Sequence, residues 1–151
     1  MLLTVESRRR LDGLARRLES AAALSAAVFA GVVATSKGLP TAVKGEVDRL
    51  VEACAFTEAA LALVAGELPT WRVRRLVWDA GAWLCSLSRH PRLPEFLDDA
   101  VDGRHEELPL AILLGLLRAR QRAAETPACA GRRVPAIRLA GLEPVACENF
   151  G

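Results

Sequence analysis

Catalysis or metal binding needs a few side chains of suitable type within reach of one another, and this chain offers few. His90 and His105 are the only histidines in 151 residues, and the four cysteines, Cys54, Cys85, Cys129 and Cys147, stand far apart with no C-x-x-C pair. Cys85, His90 and His105 are of the right types for zinc, but none of the paired spacings that gather such ligands is present, and no metal site is expected. Cys85 with His105 as base and Glu106 as orienter has the residue types of a thiol enzyme. The pattern around Cys85 nevertheless puts it on an apolar face, where a thiol behaves as an inert small hydrophobe, and Glu106 would point away from His105 on a helix.

Carboxylates cluster at Asp98, Asp99 and Asp102. On a helix Asp98 and Asp102 share a face, but acid–base work needs a pocket that separates their proton affinities, so the expectation is a solvated acidic face. No Gly-rich phosphate loop, dinucleotide fingerprint or G-x-S-x-G turn occurs. The expectation is therefore a non-enzymatic protein with no catalytic residue and no cofactor.

The remaining chemistry is recognition. "WRVRRLVWDAGAWLCSLSR", residues 71–89, holds all three tryptophans of a chain without tyrosine. Asp79-Ala80-Gly81 reads as a three-residue hairpin loop, which sets Trp78 opposite Ala82, Val77 opposite Trp83 and Val73 opposite Leu87. In that register Trp71, Val73, Val77, Trp83, Cys85 and Leu87 share one face, interrupted only by Arg75, and Trp71 and Trp83 are assigned to the core. The other face carries Arg72, Arg74, Trp78, Ser86 and Ser88, the candidate partner-binding residues. A second reading joins Arg72 and Arg74 to Arg118, Arg120 and Arg122 as a phosphate-binding set for nucleic acid. The acidic block beside these arginines, and a formal charge of only +2, weigh against it.

The elements that must position these residues are mainly helical. Leu11, Leu14, Leu18, Ala21, Ser25, Val28 and Val32 form one stripe, and a helix is predicted over 5–36. Val43, Val47, Leu50, Cys54, Thr57, Leu61 and Val64 repeat it before Gly66 and Pro69, giving a second long helix antiparallel to the first. Pro94 and Gly103 bracket a short acidic helix at 94–102, and "RHEELPLAILLGLLRARQRAA" makes a buried helix in which Pro109 is tolerable only in the first turn or at a kink. Residues 125–151, with Pro127, Pro135 and Pro144, read as an extended or partly disordered tail in which "VPAIRLAG" is a possible strand. A lone hairpin is marginal in water, so a third strand is expected from this tail or from a second subunit. The fold class is thus α+β, with residues 1–124 as one domain: a long antiparallel helix pair, a β-hairpin extended to three strands if a partner strand is found, and a buried C-terminal helix.

The N-terminal "SRRRLDGLARRLESAAALSAAVFAGVVATSKG" places arginines ahead of an apolar stretch, as an export signal does. Its charged part is long and contains Glu6, Asp12 and Glu19, and the apolar stretch falls short of the ~20 residues a membrane span requires. With widely spaced cysteines and no disulfide framework, a cytoplasmic location without membrane contact is expected. The run "LPTWRVRRLVWDAGAWLCSLSRHPRLPEFLDDAVDGRHEELPLAIL" resembles a segment of short uncharacterised bacterial proteins. That resemblance implies a bacterial origin and a soluble protein, and it carries no activity or functional residue. The leading expectation is an interaction or accessory protein that binds a protein partner or its own copy.

Overall fold

The computed structural model describes residues 4–125. The order is α1 (Val5–Ser20), α2 (Ala26–Ala34), α3 (Thr41–Glu52), α4 (Phe56–Glu67), β1 (Arg72–Asp79), β2 (Ala82–Ser88), β3 (Val101–His105) and α5 (Leu108–Glu125), with a 3-10 turn at Glu95–Leu97. The class is α+β, as the sequence implies. The expected tail 125–151, and the strand proposed in "VPAIRLAG", lie outside the described residues except for Glu125, which ends α5.

Each of the two long apolar stripes is divided between two helices. The first breaks at its one polar member: Ser25 takes an extended conformation, and its hydroxyl accepts from the Val28 N–H at 3.3 Å, capping α2. The second breaks after α3 in a left-handed C-terminal cap. Cys54 has φ 58, its N–H donates to the Val51 carbonyl at 3.0 Å, and the Ala55 N–H donates to the Leu50 carbonyl at 2.8 Å. The stripes still face inward, with Leu11, Leu18, Val32, Val47 and Val64 buried. Local hydrogen-bond alternatives thus cut the helices without disturbing the face that drives their packing.

Every residue of α5 from Leu110 to Leu117 is buried, because the helix packs on the sheet and also against α1 and α4. It begins at Leu108, which puts Pro109 in the first turn, where its missing N–H costs nothing.

The sheet is antiparallel, in the order β1-β2-β3. Its third strand comes from Val101–His105, not from the tail, and the predicted 94–102 helix is instead a single 3-10 turn followed by strand. The hairpin loop has two residues, not three: Asp79 pairs with Ala82, and Ala80 and Gly81 both have positive φ, 47 and 79, the signature of a type I′ turn. Trp78 therefore pairs with Trp83, Leu76 with Cys85 and Val77 with Leu84, one step from the expected register. A bulge at Arg74 absorbs the extra residue, so Val73 still meets Leu87.

Alanine at the first turn position carries a Cβ into left-handed backbone, which costs ~1–2 kcal/mol. Asparagine tolerates that region and makes the favoured Asn-Gly pair. Ala80→Asn is expected to stabilise the protein by about 1 kcal/mol in urea unfolding; a neutral or lower midpoint would contradict the turn assignment.

Candidate interaction surface

The observed register sorts the sheet into two faces. Trp78, Trp83 and His105 form one cross-strand row, Leu76, Cys85 and Gly103 the next, and Val73, Leu87 and Val101 the third. Cys85 and Leu87 are fully buried, and Trp83, Leu76 and Val101 pack at the margin of the core. Trp71 is buried just ahead of β1, with the Arg89 guanidinium 5.0 Å from its ring centroid, a cation–π contact. Trp78 thus lies on the same face as Trp83, against the expectation from the three-residue loop. The two indoles meet edge to face, 5.5 Å between centroids, and Trp78 stays 55% exposed.

The opposite face carries Arg75, Ser86 and Asp102 in one row and Val77, Leu84 and Arg104 in another. The segment after β2 folds over it. Arg74, expected to face water, instead forms an ion pair with Asp98, whose side chain is completely covered. Ser88 Oγ donates to Asp98 Oδ1 at 2.6 Å and accepts from the His90 N–H at 2.9 Å. Ser86 donates to Asp102, and Arg75 meets Glu95 at 2.5 Å. Arg74, Arg75, Ser86, Glu95, Asp98 and Asp102 wall a cleft of about 260 Å³. The Ser88 hydroxyl first, and then the Arg74 guanidinium, hold the Asp98 carboxyl below the usual carboxylate range despite its burial. At neutral pH it is an ionised clasp between the sheet and the 90–100 segment. Arg74, Ser86 and Ser88 are therefore engaged within the chain, whereas Arg72 and Trp78 of the same candidate set are exposed.

Thiol chemistry finds no support in this arrangement. Burial, reinforced by the charge of Asp102, pushes the Cys85 thiol up to about 12, so at neutral pH it is protonated and a poor nucleophile. His105 Nδ1 already accepts from the Glu107 N–H at 2.9 Å. His90 and His105 lie at opposite ends of β2, because His105 pairs with Trp83 and His90 follows Ser88. Among the described residues no three His, Cys, Asp or Glu side chains come together as a metal cluster would require.

The arginines of the nucleic-acid reading are mostly committed. Arg118 reaches the Asp102 carbonyl and lies 3.4 Å from Glu19, and Arg122 grips Asp99 at 2.5 Å. The Arg122 hydrogen bond holds Asp99 below its ordinary range and Asp99 raises Arg122 in return. Arg120 is buried against Glu67 at 2.5 Å, with Thr35 and Ser36 accepting from its other nitrogens at 2.8 and 2.7 Å. This group lines a cavity of about 400 Å³ between α1, α5 and the ends of α2 and α4. With Arg74 on Asp98, four of the five candidate arginines already face a carboxylate; Arg72 donates to the Pro69 and Trp71 carbonyls.

The exposed apolar side chains are concentrated in one region. Seven large hydrophobic side chains are exposed among the described residues, and six of them, Val73, Val77, Trp78, Leu93, Phe96 and Leu97, fall between positions 73 and 97. The Arg75–Glu95 pair holds the turn bearing Phe96, 84% exposed, beside β1. β1 is also an edge strand, and among the described residues no backbone–backbone hydrogen bond reaches it except from β2. Sequence reasoning missed Phe96 and Leu97 because it placed them on a helix; Pro91 and Pro94, which precede the turn, were the available signal. No described helix is long and apolar enough to cross a membrane. Comparison with protein-family models, curated proteins and solved structures finds no match.

Proposed function

We propose that this protein is a non-enzymatic interaction module that takes a protein strand along the edge of β1. The observation that carries the reading is the coincidence of the exposed apolar side chains with an edge strand whose outer backbone groups are unpaired. Native edge strands are normally protected by charge, proline, a bulge or a covering element, and exposed apolar patches mark association sites. β1 has a bulge and three arginines at its start, but its second half, Leu76-Val77-Trp78, lacks any such protection. Strand addition would satisfy the backbone groups, while Trp78 and Phe96 supply the large rings that dominate interface energies. The partner is a protein chain, either another protein or a second copy, and the chemistry places no demand for a cofactor.

Trp78→Lys and Phe96→Ser test this directly. Both side chains are mostly exposed, so both variants are expected to fold with near-native stability. Each should weaken partner binding at least tenfold, measured by calorimetry with the captured protein or by sedimentation for self-association. A wild-type chain that stays monomeric, and retains no protein that these variants lose, overturns the reading.

A further inference from the structure

We infer that β1 pairs with β1 of a second copy, antiparallel about a two-fold axis at Val77, joining two three-stranded sheets into one of six strands. This rests on the edge-strand reading and names the occupant of that edge. In a two-residue hairpin the residues flanking the loop exchange both backbone hydrogen bonds, so Asp79, Val77 and Arg75 point their N–H and C=O groups at β2. Leu76 and Trp78 then point theirs outward, at the open edge.

A symmetric antiparallel pair can bring those groups together in three registers. Centred on Leu76 or on Trp78, only that residue meets its own copy as a hydrogen-bonded pair. The Leu76 centre would also set Trp78 opposite Arg74, which Asp98 already holds. Centred on Val77, Leu76 of each copy meets Trp78 of the other, and the two pairs exchange four hydrogen bonds. Every outward backbone group between Arg75 and Asp79 is then satisfied.

The side chains agree with that register. Arg75 faces Asp79 of the other copy at both ends of the overlap. The Asp79 carboxylate has no partner among the described residues, although Arg104 donates to the Asp79 main-chain carbonyl at 3.0 Å, and Arg75 is half exposed and uses one nitrogen on Glu95. Opposite charges directly across a strand pair stabilise it, and like charges destabilise it. A pair centred on Arg75 would set two guanidiniums against each other and Leu76 opposite Arg74, which lies at the bulge and is held by Asp98. On one face Leu76 packs on the Trp78 indole of the other copy, beside Trp83. On the other face the two Val77 side chains touch at the axis. The interface is isologous, the commonest arrangement of homodimers.

The register makes a narrow test. In a full-length background with Cys54, Cys129 and Cys147 replaced by serine, Val77→Cys should form a disulfide-linked dimer with oxidised glutathione. Non-hydrogen-bonded antiparallel pairs bring Cα atoms to ~4.5 Å, within disulfide reach. Arg75→Cys and Asp79→Cys variants should cross-link to each other when mixed, and much less to themselves. The unmodified protein should double its mass by sedimentation as concentration rises, and Asp79→Arg should reverse this. A mass that stays monomeric at high concentration with no Val77→Cys cross-link, or preferential linkage of Arg75→Cys to itself, overturns the inference. If that happens while Trp78→Lys still loses a bound protein, the self-pairing is wrong and the interaction reading stands; if Trp78→Lys changes nothing, both fall.

Discussion

Gly103→Ala is expected to destabilise the protein by about 3 kcal/mol, a large share of the ~5–15 kcal/mol that holds a domain of this size together. Gly103 sits in the middle of β3, opposite Cys85, where the sheet meets α5. A Cβ there would stand well inside 3.0 Å of the Ala111 carbonyl oxygen and the Gly115 nitrogen, and 3.0 Å from Gly115 Cα. All three are backbone atoms of a buried helix, so no rotamer change relieves the overlap. The helix must lift from the sheet, and the buried run Leu110–Leu117 loses contact on that side.

The facing glycine should behave in the opposite sense. A Cβ at Gly115 would meet the Cys85 carbonyl oxygen and a Leu87 methyl at 3.5 Å, ordinary van der Waals contact. Alanine in a helix interior is favoured over glycine by ~0.8–1 kcal/mol, so Gly115→Ala should be neutral or stabilising. Urea unfolding of the two single variants checks both signs. Equal and small effects would mean that α5 does not rest on β3 as closely as the structure has it.

Gly103 also shows where sequence reading reached its limit. Read along the chain, it follows an acidic run and a proline that both favour a helix start, so it passes for a helix stop. In the fold it is the point of closest approach between sheet and helix, a property of two elements that no local pattern contains. The five residues Val-Asp-Gly-Arg-His do alternate, but the inward positions are a valine, a glycine and a histidine, too weak an apolar signal to outweigh Pro94. By contrast α5 is legible from its own composition, because an almost continuously apolar helix has to be buried on every side.

The hairpin was legible in one strand and misread in the other. The alternation in β2 is intrinsic to Trp83, Cys85 and Leu87, so their shared inward face survives any change of register. The residues of β1 that oppose them depend on the loop length, and a loop shorter by one residue moves Val77 to the far face and Trp78 to the near one. Alanine at a positive φ concealed the two-residue turn, since that position usually announces itself with asparagine or glycine. The covering of Arg74, Ser86 and Ser88 was out of reach for a different reason. It depends on where Asp98 and Asp102 return in space, and hydrogen bonds and ion pairs ten to twenty-four residues apart leave no periodic trace.

Glu67→Ala is expected to cost ~3–5 kcal/mol, because it strands the Arg120 guanidinium in the interior. Both side chains are only 7% exposed, and Arg120 lies 2.5 Å from Glu67 while it donates to Thr35 and Ser36. The group ties the end of α2, the end of α4 and the middle of α5 at one point. Thr35 keeps its bond to the Val32 carbonyl at 2.7 Å in the variant, but Ser36 loses the carboxylate it donates to at 3.0 Å.

The same physics predicts that removing both charges does less harm than removing one. Desolvating an ion pair offsets much of its attraction, so an apolar pair of similar volume is often neutral or better. Arg120→Met combined with Glu67→Leu should therefore recover most of the stability lost in Glu67→Ala, and the coupling energy from a double-mutant cycle should be large. Glu67→Ala within ~1 kcal/mol of wild type would place the pair in the exposed class, where ion pairs contribute little. A double variant no better than the single one would instead make the hydroxyls of Thr35 and Ser36, not the charges, the groups that need each other.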